Sequence, residues 1–183
     1  MTNELDALAA HYFQTAWVVR DLDAAEEWFG RVMGVPAWTR FDLVLGEESR
    51  YRGRPADSAM RLSLGYAGEV QVELIESLRG PSIYTEFLER KGPGLHHVAF
   101  AVPDFDATVA RLREQGLPEL SSGVFGGGSV KFAYFDCEEA GASVIEILGF
   151  DAATTEGMAQ MKAAAYAARP GAAAAGAIAA RIG

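Results

Sequence analysis

The feature that most constrains this chain is an internal duplication. Phe13-Gln14-Thr15-Ala16-Trp17-Val18-Val19-Arg20-Asp21 has the layout of Gly94-Leu95-His96-His97-Val98-Ala99-Phe100-Ala101-Val102-Pro103-Asp104. Gln14 lies seven residues before Asp21, and His97 lies seven before Asp104. Each aspartate opens a similar run, Asp21-Leu22-Asp23-Ala24 and Asp104-Phe105-Asp106-Ala107, and each run leads to a glycine, Gly34 and Gly116. Each half then ends in an apolar strand with a central glutamate, Val72-Glu73-Leu74-Ile75 and Ile145-Glu146-Ile147-Leu148. A repeat with a polar residue at the same place in each copy points to a site shared between the halves. Gln14, Glu73, His97 and Glu146 together suit a metal site.

The pattern of each half predicts its elements. Residues 12–19 are aromatic and β-branched and read as a buried strand. Asp21 or Asp23 can cap the next helix, and Leu22, Ala25, Trp28, Phe29 and Val32 recur at helical spacing up to Gly34. Trp17, Trp28 and Phe29 are assigned to the core. Strands are predicted at 37–44, 60–66 and 70–75. The charged stretch 47–56, with Gly53 and Pro55, reads as a loop.

The second half follows the same order. A strand at 95–102 precedes a short helix carrying Phe105, Val109 and Leu112 and ending near Gly116. Strands around Leu120, at 130–135 and at 143–148 complete it. Gly126-Gly127-Gly128 reads as a tight hairpin connection, because no Gly-Lys-Ser/Thr follows to make a phosphate loop. The linker 77–94 holds Pro81, Pro93 and a helix at 84–90.

The predicted class is therefore α+β. Two tandem βαβββ modules, residues 11–80 and 94–150, form a curled mixed sheet around a cleft. A C-terminal helical extension spans 151–183, where fifteen of the last 32 residues are alanine. Thr154 or Thr155 is expected to cap its helix, which runs to Arg169 before Pro170-Gly171 breaks it. The extension is expected to pack on the domain or on a partner subunit.

Composition narrows the function classes. The net charge of −9 argues against nucleic acid as a partner, because phosphate binding needs a basic face. No stretch has the length and apolarity of a membrane span. The N-terminus lacks the basic start and apolar run of a signal peptide, and the single Cys137 forms no internal disulfide. A cytoplasmic protein is expected, assembled as a homodimer and acting on a small molecule.

With these residues in view, the chain resembles the vicinal oxygen chelate superfamily. That group includes glyoxalase I, methylmalonyl-CoA epimerase, extradiol dioxygenases and bleomycin-resistance proteins. The resemblance spans about residues 12–150. Its strongest local match runs from Gly80-Pro81-Ser82-Ile83 through Phe87-Leu88 to Gly94-Leu95-His96-His97, which is similar to the epimerase branch.

The resemblance implies that metal ligands come from the first and last strand of each module, here Gln14, Glu73, His97 and Glu146. An imidazole, an amide oxygen and two carboxylates suit Zn²⁺, Ni²⁺, Co²⁺ or Mn²⁺. Such an ion would stabilise the enediolate formed when a proton leaves next to a carbonyl. Glu146, or its counterpart Glu73, would be the catalytic base. His96 alternates to the other strand face and reads as structural. Arg50, Arg52 and Arg54 form a loop cluster that can anchor an anionic substrate tail or stay solvated.

The expected activity is that of a glyoxalase-like lyase or isomerase. An extradiol dioxygenase needs iron on two histidines and one carboxylate, and Gln14 stands where the first histidine would be. A metal-free binding protein of the resistance type would not need four ligand-like residues. Val18 and Ser77 occupy positions where glutamine-type glyoxalases carry arginine and asparagine, which disfavours glutathione. Gln14 also departs from the histidine usual in epimerases.

Overall fold

A computed structural model of the protein describes residues 8–140 and 144–168. The first unit runs β1 (Tyr12–Val19), α1 (Leu22–Met33), β2 (Thr39–Leu45), the short strands β3 (Arg50–Tyr51) and β4 (Arg54–Pro55), β5 (Ser58–Ala67) and β6 (Val70–Arg79). A linker helix, α2 (Ile83–Lys91), leads to the second unit. This comprises β7 (Gly94–Ala101), α3 (Phe105–Glu114), β8 (Glu119–Phe125), β9 (Val130–Asp136) and β10 (Val144–Phe150). Helix α4 (Ala152–Ala167) follows. Among the described residues, no helix is long and apolar enough to cross a membrane.

One ten-stranded mixed sheet results, in the order β2-β5-β6-β1-β7-β10-β9-β8-β3-β4. Within each unit the first and last strands pair in parallel, β1 with β6 and β7 with β10. The units join edge to edge through the antiparallel pair β1–β7. The fold is the predicted α+β arrangement, with both halves of the cleft supplied by one chain.

The two copies start their helices alike. Asp21 accepts a hydrogen bond from Ala24 N at 2.9 Å, and Asp104 accepts one from Ala107 N at 3.0 Å. Each such cap satisfies an amide the helix leaves unpaired and contributes about 1 kcal/mol. Both helices cover the outer face of the sheet. Leu22 and Phe29 of α1 pack on Val72 and Leu74, while Val109 and Leu112 of α3 pack on Ala133, Phe135 and Ile147.

The stretch 47–56, expected to be a loop, does more than connect. It contains β3, which pairs with β8 of the other unit, Arg50 opposite Ser122 and Tyr51 opposite Ser121. Strand β2 lies at one edge of the sheet and β3 near the other, yet only residues 46–49 separate them. The five residue steps from Leu45 to Arg50 reach at most ~18 Å, so the sheet must curl until its edges approach at that end. Gly123 permits the closure: a Cβ there would sit 2.4 Å from Ser49 Oγ. Isolated two-residue strands carry no periodicity, so the sequence pattern could not reveal this crossing.

Other expectations need correction. Trp28 is 46% exposed and Val32 57%, so the buried stripe of α1 is narrower than predicted. Asp151 caps α4, accepting from Thr154 N at 2.7 Å, in place of Thr154 or Thr155. The proposed helix end at Arg169 and the break at Pro170-Gly171 lie outside the described residues. Gly126–Gly128 forms a short 3-10 turn between β8 and β9, as the hairpin reading anticipated.

The inner face is closed at both ends. Helix α2 brings Ile83 and Tyr84 against Ala16, Val18 and Ile75. Ser82 fixes its start through a capping box with Thr85. Gly80 allows the preceding turn, with φ +75° and Asp57 O only 1.9 Å from where a Cβ would lie. Helix α4 covers the other end. Lys162 pairs with Glu69 at 2.6 Å, and Tyr66 Oη donates to the Met158 carbonyl at 3.3 Å.

Candidate metal centre

The strand pairing places the duplicated polar residues around two alanines. Ala16 on β1 lies opposite Glu73 on one side and His97 on the other. Ala99 on β7 lies opposite Gln14 on one side and Glu146 on the other. Partners across a ladder share a face, as do residues two apart along a strand. All four polar side chains therefore rise from the inner face around a patch where Ala16 and Ala99 leave space. The arrangement is pseudo-twofold: Gln14 corresponds to His97, and Glu73 to Glu146.

The donors converge. His97 Nε2 is 3.1 Å from Glu146 Oε2 and 3.4 Å from Glu73 Oε2. One ligand atom from each of these three residues lies within 4.8 Å of the others, a spacing that could hold a metal ion. Gln14 lines the same pocket as Glu73 and Glu146. The four residues are 2–7% exposed.

Buried polar atoms normally have partners, but two here do not. His97 Nε2 and Gln14 Oε1 make no hydrogen bond. Each is the ring or amide atom that would ligate a cation, and its neighbours explain its orientation. Gln71, fully buried beside Gln14, donates Nε2 to Tyr66 Oη at 2.9 Å. Its Oε1 is thereby left to accept from Gln14 Nε2 at 2.7 Å. That bond occupies the Gln14 amide nitrogen and leaves Oε1 as its unpartnered end.

A parallel relay acts on the histidine. The backbone of Ile83 lies near the His96 ring and favours its protonated form, and His96 Nδ1 faces His97 Nδ1 at 2.8 Å. If His96 donates Nε2–H to Ile83, its bare Nδ1 accepts from His97 and leaves His97 Nε2 with a lone pair. Hydrogen bonding of the remote nitrogen is how proteins orient metal-binding imidazoles. The residues present thus fit a divalent cation: two carboxylates, one imidazole and one amide oxygen, the last two orphaned.

The buried groups of the cluster shift one another's protonation. Burial lowers the His97 pKa, but Glu146 and Glu73 outweigh it and raise the value to about 9. Burial raises the Glu73 carboxyl, and His97 only partly opposes this. Burial, reinforced by His97, drives His96 well below its ordinary value. Protonated, the His97 ring pairs with both carboxylates through Nε2; a cation bound by the same atoms would need the ring to give up that proton.

Above this floor lies a pocket of about 610 Å³ counted to its open mouth. Strands β2 and β5 of the first unit and β8 and β9 of the second form its walls. Comparison with known proteins agrees with this architecture. The model of the Glyoxalase/Bleomycin resistance protein/Dioxygenase superfamily matches residues 13–135. The chain belongs to this superfamily.

The methylmalonyl-CoA epimerase of Mycobacterium tuberculosis superposes with a TM-score of 0.61, covering 82% of this chain and 94% of that one at 22% identity. A Streptomyces coelicolor methylmalonyl-CoA epimerase variant in complex with 2-nitronate-propionyl-CoA gives 0.59, covering 78% and 98% at 21% identity. Likeness at this identity speaks to the fold. The uncharacterised protein YqjC of Bacillus subtilis (strain 168) is 33% identical over 75 residues, which is 41% of this chain and 54% of YqjC. The match therefore spans about half of that relative's length.

This superfamily member carries neighbours of the centre that the sequence reading passed over. Gln71 shares a face with Glu73 by strand period, so it was within reach of the pattern. Tyr134 lies opposite Glu146 on β9 and accepts a hydrogen bond from Tyr84 Oη at 2.8 Å. Burial, with the charge of the glutamates, holds both phenols well above their ordinary pKa. Only the three-dimensional pairing reveals Tyr84, because it comes from the linker helix. Arg50, Arg52 and Arg54 are absent from the pocket lining. Arg52 is clamped to Glu86 by two 2.6 Å bonds, and Arg50 donates to the Glu47 carbonyl at 3.0 Å.

Proposed function

We propose that this chain is a metal-dependent lyase or isomerase that moves a proton next to a carbonyl group. The observation that carries the reading is the pair of atoms without hydrogen bonds, His97 Nε2 within 3.4 Å of two buried carboxylates and Gln14 Oε1 on the pocket lining those carboxylates share. Gln14, Glu73, His97 and Glu146 would hold the cation, with Zn²⁺, Ni²⁺, Co²⁺ or Mn²⁺ suiting the donor set. When bound, such an ion supplies Lewis acidity to an adjacent pair of substrate oxygens.

The chain's own groups do the rest. Glu146 takes the α-proton as the C–H bond breaks, and the electron pair moves onto the carbonyl oxygen to give an enediolate. Glu146 then returns the proton to the same carbon, or to the former carbonyl carbon as the hydroxyl proton passes to the neighbouring oxygen. We favour Glu146 over its counterpart Glu73 because Tyr134 stands directly opposite it, where a hydroxyl can steady the carboxylate. The pocket opens to water at its mouth, so the proton held on Glu146 can exchange with solvent before it is returned.

Solvent deuterium exchange tests this reading. Metal-loaded protein should exchange the α-hydrogen of an α-hydroxyketone, and Glu146→Gln should abolish that exchange while keeping the fold. Loss with Glu73→Gln alone would assign the base to Glu73. Oxygen consumption with a catechol, and no exchange on any carbonyl compound, would indicate the dioxygenase reading instead.

A further inference from the structure

The superposable epimerases invite a CoA thioester as substrate, but the pocket has a different chemistry. Its walls are apolar: Phe13, Leu62, Leu64, Phe132, Phe150 and Met158 all face the space above the floor. Its polar groups are confined to Gln14, Glu73, Glu146, Gln71 and the hydroxyls of Tyr84 and Tyr134. No lysine or arginine lines it among the described residues.

The cations on the strands and helices around it are engaged elsewhere. Arg40 binds Glu26 at 2.6 Å, Arg61 binds Asp42 at 2.7 Å and Lys162 binds Glu69 at 2.6 Å. Two floor carboxylates offset the charge of any divalent ion they hold. A carboxylate or phosphate pushed among these walls would lose its hydration without gaining a counter-charge. The net charge of −9 repels it further.

Two features shape the space. A register shift between Tyr12 and Gln14 sets the Phe13 ring beside Gln14 on the pocket wall. There it meets Phe150 edge-on at 6.0 Å. Helix α4, beyond the segment matched to the superfamily, brings Met158 over Gln71 with Sδ 3.5 Å from Gln71 Nε2. An adaptable thioether and aromatic edges suit a flat or branched hydrocarbon body.

We infer that the ligand is a compact, uncharged molecule with an aromatic or branched-alkyl body and a vicinal pair of oxygens. A dicarboxylic acyl-CoA does not fit this description. The oxygen pair rests on the proposed metal-dependent reading. The uncharged body rests on the walls alone.

Two probes separate these parts. Para-methylphenacyl alcohol and para-carboxyphenacyl alcohol carry the same carbonyl–hydroxyl pair and differ in the charge of the body. Each is titrated into metal-free and zinc-loaded full-length protein, following isotope-labelled methionine methyl resonances. The methyl compound should move the Met158 and Met60 signals in both forms and bind at least about tenfold tighter than the carboxylate, a difference of about 1.4 kcal/mol. Zinc should tighten both compounds. Phe41→Arg, a change at an exposed wall position, should narrow the gap by favouring the carboxylate.

Equal or tighter binding of the carboxylate to the wild type overturns the inference, as does methylmalonyl-CoA outcompeting the methyl compound. A preference for the methyl compound that zinc leaves unchanged would uphold the uncharged body and remove the metal-dependent reading.

Discussion

Gln14 Nε2 donates to Gln71 Oε1 at 2.7 Å, and this bond decides which end of the Gln14 amide meets the rest of the centre. Gln71 has no freedom to turn, because its own Nε2 is committed to Tyr66 Oη. Gln71→Met keeps the volume and removes the acceptor. It should weaken metal binding about 10–100-fold, the usual cost of losing the partner that orients a ligand. Gln71→Glu retains an acceptor and should recover part of the loss. Competition titration against a chromophoric chelator measures both. Equal affinity in all three proteins would remove Gln71 from the site.

The four donors should not contribute equally. Glu73→Ala and His97→Ala each remove a buried ligand and should strip most of the metal. Gln14→Ala should cost less, since a neutral amide interacts more weakly with a cation than a carboxylate does. Gln14→His should tighten binding. Metal content of each variant by elemental mass spectrometry, with circular dichroism to confirm folding, checks this order. A Gln14→Ala loss larger than that of Glu73→Ala would contradict it.

The raised His97 pKa fixes the sign of two pH effects. A histidine whose folded pKa is about 9 stabilises the metal-free protein fully below its unfolded value of about 6.5. That stability is lost as pH rises toward 9. The raised Glu73 carboxyl acts in the same direction. Metal requires the unprotonated imidazole, so binding should strengthen over the same range and release a proton at neutral pH. Melting of the metal-free protein from pH 6 to 9, and calorimetry in buffers of different ionisation enthalpy, check both trends. A metal-free protein that gains stability across this window would contradict the assigned His97 environment.

Helix α4 is held by its cap and by the Lys162–Glu69 pair. Asp151→Ala should destabilise the helix by about 1 kcal/mol. Lys162→Ala should cost less, because exposed pairs contribute little. Hydrogen exchange of α4 should rise in Asp151→Ala, with little change in β1 and β7. Rapid exchange across the sheet centre as well would mean that α4 is part of the core, not a cover over the pocket.

The duplication made most of the fold legible. Gln14 and His97 stand at equivalent strand positions because the seven-residue spacing to Asp21 and Asp104 preserves both the strand and its helix cap. Glu73 and Glu146 stood out because a carboxylate inside an apolar strand needs a partner. Gln71 was missed although it shares a face with Glu73, since an amide provokes less suspicion than a charge. The crossing of β3 to β8 was illegible because two-residue strands have no period. Trp28 and Val32 followed the helical stripe, but α1 buries a narrower face than that stripe. For Arg52 the sequence could not show the carboxylate of Glu86 beside it.

The central claim is that Gln14, Glu73, His97 and Glu146 hold one divalent cation. Its most direct test is the metal content of full-length protein purified without chelator or nickel resin, before and after incubation with Zn²⁺, Ni²⁺, Co²⁺ and Mn²⁺. The account predicts about one ion per chain in the wild type and almost none in His97→Ala. A wild type that takes up none of these ions, or a His97→Ala protein that retains as much as the wild type, would contradict it.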